Sequence, residues 1–262
     1  MSSRRGPGPA AGSEGRRFSK LVCFVGNDRP FGIAAISILL ERGMEIRAIV
    51  GETANSIANE LPASPNAQII AAKRPWETPA FESLGLGSDA LGVNCGFDYI
   101  IAKSVLDHLV VVNTHPAALP FNRGCHHSFW GIMDRTPLGA TLHWMTEGLD
   151  EGPIIATATF ADDGYMSAGE IQRRSNALCL TLLRDHIEDV VAGTARSIPQ
   201  GPGSYHGKAD IIAASTLDAR DTIDVSRLFD LCRATNNKRN GFIIVKDGRR
   251  FRIKIDAIEE VG

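Results

Sequence analysis

Residues 21–51 read LVCFVGNDRPFGIAAISILLERGMEIRAIVG. LVCFVG is a short apolar run closed by a glycine, as in a strand buried on both faces. NDRPFG is rich in turn formers. FGIAAISILLERG has the composition of a helix stopped at Gly43. MEIRAIVG returns as a second strand. Strand, helix and strand in that order build a right-handed crossover between parallel strands. The stretch therefore predicts an α/β fold with a mostly parallel sheet.

The alternation continues towards the C-terminus. AQIIAA and VVVNTH read as strands, and ALGVNCG and YIIA as apolar pieces near another strand and turn, with short helices expected in IANEL, TPAFESLGL and SVLDHL. HHSFWGIMD reads as a helix. GATLHWMTEG and PIIATATF read as two strands that pair as an antiparallel return around Gly148 and Gly152. SAGEIQRRSNALCLTLLRDHIEDVVAG is a long amphipathic helix, with Leu180, Leu183, Ile187 and Val190 on one stripe. After Gly193 the composition shifts to the turn-rich SIPQGPGSYHGK. DVSRLFDLCRAT then reads as a helix, and GFIIVKDGRRFRIKI as a hairpin turning at Asp247-Gly248. The expected organisation is a disordered tail over 1–18, a main domain over 19–200, and a small α+β appendage over 201–262.

Bulk properties narrow the function classes. The 262 residues are 44% apolar and 22% charged, with a formal net charge of −2. Such a balance gives no whole-chain attraction to nucleic acid or to an anionic membrane. Five cysteines, at 23, 95, 125, 179 and 232, are far apart and form no CxxC pair. That pattern suits reduced thiols in a cytoplasmic protein. No apolar run approaches the ~20 residues of a membrane span. The opening MSSRRGPGPAAGSEGRR has no apolar h-region and is not read as a secretory signal. No metal-ligand spacing occurs, and GNDRPFG is not the glycine pattern of a dinucleotide site.

Two short segments concentrate chemistry. VVVNTHPAALPFNRG, residues 110–124, begins as a strand and ends in Asn113 and His115. Two residues apart on a strand, they face the same side. In open α/β sheets, the C-terminal strand ends are where ligands bind. EGLDEGP, residues 147–153, sets Asp150 between Gly148 and Gly152. A carboxylate there is able to orient an imidazole, though spacing alone does not bring it to His115. Cys125 gives no sign of activation and is expected to be a buried structural thiol. The adjacent His126 and His127 diverge by ~100° on a helix and are read as a substrate-side wall or a helix start.

From Asn113 to Pro153 the chain resembles the catalytic core of the folate-dependent formyltransferases. The resemblance lies in Asn113-x-His115-Pro116, then Leu119-Pro120, then Arg123-Gly124, and a Gly-x-Asp-x-Gly turn at Asp150. It implies a Rossmann-like core and N10-formyltetrahydrofolate as co-substrate; the lack of metal-ligand spacing predicts no metal. It places the folate ring against GFDYII, through Phe97, Asp98, Tyr99, Ile100 and Ile101, with Thr146 and Gly148 as the second wall. An amine would attack the formyl carbon directly. Asn113 would donate to the developing oxyanion, His115 would accept or relay the amine proton or support that oxyanion, and Asp150 would orient His115.

NRGCHHSFWGIMDRTPLGATLHW is most similar to the nucleotide-sugar N-formyltransferases, and SYHGKADI resembles a later element of that branch. The implied substrate is a small nucleotide-linked amino sugar, met by Arg123, His126, Tyr205 and Lys208. Ala117-Ala118 replaces the usual residues after His-Pro, and Asp98 stands where a basic or aromatic residue is common. The final hairpin also resembles a shortened methionyl-tRNA-enzyme tail, but a net charge of −2 argues against tRNA. Nucleic acid and membrane are not expected as partners; a homodimer is implied. Two other readings stay open: transfer to another small amine such as hydroxyornithine, and a catalytically silent binding homologue.

Overall fold

A computed structural model describes residues 15–62, 65–236, 241–259 and 261. In chain order the elements are β1 (Lys20–Val25), α1 (Arg29–Glu41), β2 (Ile46–Val50), α2 (Ala54–Glu60), β3 (Gln68–Ile70), α3 (Pro79–Glu82), β4 (Ala90–Cys95), α4 (Lys103–Leu106) and β5 (Val110–His115). Next come β6 (Arg123–Gly124), α5 (His127–Met133), β7 (Leu138–Trp144), β8 (Ile154–Phe160) and α6 (Ala168–Ala192). The last are β9 (Tyr205–His206), α7 (Asp210–Ala214), β10 (Thr216–Asp218), α8 (Val225–Thr235), β11 (Phe242–Lys246) and β12 (Arg249–Ile253).

These elements form two compact units. The first holds the chain up to His115, Thr141–Thr157 and Leu178–Gly201; the second holds Pro116–Ala140, Ala158–Ala177 and the chain from Pro202. The last crossing between the units falls between Gly201 and Pro202. The second unit also takes in two stretches that the sequence assigns to the main domain. A contiguous reading has no signal for a chain that leaves a unit and returns.

The seven-stranded sheet runs in the order β3-β2-β1-β4-β5-β7-β8. The first five strands are joined by parallel ladders, and β7 runs antiparallel to β5. Unbroken apolar strands predict the parallel part, because both faces are covered. Val22, Phe24, Ala48, Val50 and Val111 belong to one buried cluster of the first unit. Helix α1 starts two residues earlier than expected. Asp28 caps it by accepting from the Phe31 N–H, and Pro30 sits in the first turn, where no donor is lost.

The expected disordered tail falls mostly on residues 1–14, which lie outside the described residues. Residues 15–18 depart from that expectation. Phe18 is buried, and its N–H donates to the Val191 carbonyl at 2.9 Å. Burial of the aromatic side chain offsets the entropy of fixing those residues.

In the second unit, Phe129, Ile132, Leu138, Met166, Ile171, Leu231 and Phe242 form the core. The terminal hairpin closes through Lys246 opposite Arg249. Asp247 and Gly248 both have positive φ, as a two-residue hairpin turn demands. Three-residue β10, a strand the sequence reading lacks, pairs in parallel with β11. Arg233 is buried, with its guanidinium on Asp162 and Asp230 at 2.8 Å each.

Candidate active site

The first unit assembles its polar cluster at the end of β5. Asn113 and His115 are both buried there, 7% and 6% exposed. Strand alternation sends them to one side of the sheet. Strand β7 supplies their neighbours by register: His143 lies opposite Asn113, and Thr141 opposite His115. Directly opposed residues of an antiparallel pair share a face. His143 therefore joins Asn113 and His115.

Asp150 arrives on the loop between β7 and β8. Its φ is +54°, a left-handed conformation that Asp tolerates better than most residues. Gly152 permits this loop: a Cβ there would lie 1.7 Å from the Trp144 carbonyl oxygen. The side-chain amide of Gln200 clamps the turn from the other side. Its Nε2 donates to the carbonyls of Asp150 at 2.8 Å and Gly152 at 2.7 Å.

These constraints bring the carboxylate into the cluster. Asp150 Oδ2 stands 3.5 Å from His115 Nδ1. Its Oδ1 stands 3.4 Å from Asn113 Nδ2 and 3.7 Å from His143 Nε2. Asn113 Nδ2 also meets His143 Nε2 at 3.0 Å, and His143 Nδ1 meets the Trp144 carbonyl at 2.9 Å. The juxtaposition of Asp150 and His115, which sequence spacing leaves open, is thus present. His143 is the member that the sequence reading lacks as a site residue. Its signal was the register of β5 against β7, because GATLHWMTEG by itself shows only a strand.

The five residues expected to line the folate ring have different surroundings. Phe97 and Ile101 belong to the buried cluster of the first unit. Asp98 accepts the Asn27 backbone N–H at 2.6 Å. The Tyr99 hydroxyl donates to Glu52, and Lys73 stands over its ring at 4.8 Å. Ile100 is 75% exposed. Backbone groups of Ile100 and Ile101 make no hydrogen bond among the described residues. An exposed apolar side chain beside uncommitted amide groups fits a flat heterocycle with donor and acceptor edges. On the β7–β8 loop, the Thr146 hydroxyl donates to the Gly148 carbonyl at 3.4 Å.

The candidate substrate residues lie in the second unit. Arg123 and Tyr205 are partners on the paired strands β6 and β9, and Tyr205 is 58% exposed. Two residues farther on from β9, Lys208 is exposed. His126 caps α5 in a left-handed conformation, φ +62°, which makes it a helix start. His206 stacks on Trp130, centroids 3.8 Å apart and planes within 6°, and its Nε2 is 3.0 Å from Asp134. Cys125 is half-buried rather than buried, because it follows the short β6 strand. In the first unit, a hydrogen bond with Cys95 and then burial push the Cys23 thiol up, and burial does so at Cys179.

The sequence profile of the formyl transferase family matches residues 46–178, just over half of the chain. The chain belongs to the formyl transferase family. A curated relative, the dTDP-4-amino-4,6-dideoxyglucose formyltransferase of Mycobacterium bovis, is 28% identical over 58% of this chain and 66% of its own. The methionyl-tRNA formyltransferase of Phenylobacterium zucineum is 30% identical over 65% of this chain and 59% of its own. This formyl transferase chain thus spans under two thirds of either relative. An N-formyltransferase from Helicobacter canadensis, solved with folinic acid and dTDP-3-aminofucose, shares the fold at a TM-score of 0.65. It is 15% identical and matches over 92% of this chain and 97% of its own. Among the described residues no helix is long and apolar enough to cross a membrane.

Proposed function

We propose that this protein transfers a formyl group from N10-formyltetrahydrofolate to the amino group of a nucleotide-linked amino sugar. One observation carries the reading: an amide, an imidazole and a carboxylate converge at the end of β5, with His115 and Asp150 at 3.5 Å. The formyl carbon, activated on the folate, is the electrophile that the bound co-substrate supplies.

The chain's own groups do the rest. Asp150 faces His115 Nδ1, which favours a proton on that nitrogen and puts the basic site of the ring at Nε2. Nε2 would then take the proton that the attacking amine must lose and return it to the folate nitrogen as the bond from that nitrogen to the formyl carbon breaks and tetrahydrofolate leaves. Asn113 Nδ2 donates towards the oxygen on which negative charge develops. The 3.5 Å contact is long for a hydrogen bond, and such contacts tighten when substrate is bound. Ile100 and Ile101 would meet the heterocycle; in the second unit, Arg123, His126, Tyr205 and Lys208 are the candidates for the substrate.

A nucleotide sugar is favoured over tRNA by the net charge of −2, because phosphate neutralisation dominates tRNA affinity. The test is incubation with N10-formyltetrahydrofolate and a panel of nucleotide-linked amino sugars, followed by folate release and product mass. A product heavier by one formyl group, lost in His115→Ala, supports the reading. Folate binding with no sugar product would direct the search to hydroxyornithine-like amines. Absence of both would leave a silent homologue.

A further inference from the structure

We infer that His143 is a positioning residue that holds the Asn113 amide in one orientation and determines which of its two N–H bonds serves the reaction. The inference rests on the role given above to Asn113. The Trp144 carbonyl only accepts, so the 2.9 Å contact places a proton on His143 Nδ1. In the neutral ring, Nε2 is then an acceptor. Asn113 Nδ2, at 3.0 Å, donates one N–H to it. A reversed amide would set the Asn113 oxygen against that lone pair.

The second N–H of Asn113 has the weaker partner, Asp150 Oδ1 at 3.4 Å. It is the bond that an incoming oxygen takes over from Asp150 without breaking the short one. Asp150 Oδ1 is also 3.7 Å from His143 Nε2. A proton on Nε2 would serve that carboxylate, but would oppose N–H to N–H at Asn113. The nearer amide and the Trp144 carbonyl together select the Nδ1–H form. His143 is 1% exposed and Asn113 7%, so neither contact competes with bulk water. The register that puts Asn113 opposite His143 makes the pair a property of the sheet.

The test combines tautomer and kinetics on the intact protein. Long-range proton–nitrogen correlation, with the His143 signal assigned by its loss in His143→Gln, reports the protonated nitrogen. A proton on Nδ1 and a bare Nε2 at neutral pH are expected. His143→Leu should lower kcat about 10²-fold, as misplaced groups do, with both KM values unchanged. His143→Gln, whose carbonyl can accept from Asn113, should recover most of that loss. A proton on Nε2, a charged ring, or a fully active His143→Leu variant would overturn the inference. Equal losses in Leu and Gln would do so as well. If the unaltered protein formylates no amine, the functional reading fails instead, and the tautomer measurement still decides the geometry.

Discussion

Asp150 shows how much one residue here depends on its neighbours. Its left-handed φ and the missing Cβ at Gly152 let the loop bring a carboxylate to His115. Gly152→Ala should push the loop off the Trp144 carbonyl, costing about 1–3 kcal/mol as overpacking does. A melting curve and kcat should fall together; an unchanged kcat would mean the loop tolerates the shift. At the reacting groups, Asn113→Ala should reduce kcat roughly 10²- to 10³-fold, the range for one lost oxyanion donor. Folate binding, measured by fluorescence quenching, should survive that change. The pattern NTH-P was legible in the sequence because strand alternation alone fixes the common side of Asn113 and His115. His143 was not, because its place depends on register with a partner strand.

Among the elements, the segment that carries Gln200 behaves as a strap. It donates both amide hydrogens to the Asp150 loop and is held by a bridge between Ile154 and Ile198. Gln200→Ala should leave two carbonyls without this donor and loosen the loop. Faster hydrogen exchange at residues 148–152 and a lower kcat are expected, with the rest of the sheet protected as before. In α8 a buried Arg233 binds Asp162 and Asp230. Arg233→Met would strand these carboxylates, at a cost of about 3 kcal/mol, read by chemical denaturation. A neutral outcome would show that the pair adds nothing beyond packing. Strands β1 to β5 were legible as apolar runs. β10 was not: three residues of TLD carry too little pattern, and its partner β11 defines it.

At the scale of the whole molecule, the terminal three-stranded sheet has β12 at its edge. Phe251 and Ile253 on that strand are 47% and 37% exposed. Arg249, Arg250 and Arg252 make up the rest of this strand, so its two apolar side chains are the part open to pairing with a second copy. We propose a homodimer through this hairpin. Light scattering should give twice the 28.2 kDa mass, and Phe251→Glu should return it to a monomer. A monomeric unaltered protein would end that expectation.

By itself the sequence determined the strand–helix–strand order, the common side of Asn113 and His115, and the turn at Asp247-Gly248. Those are local consequences of period, apolar pattern and turn chemistry, which act within a few residues. Only the tertiary structure decided that Asp150 reaches His115, that His143 stands beside Asn113, and that Asp98 caps a loop. Each of these depends on strand register or on a loop held from a distant segment, and no local pattern carries that information.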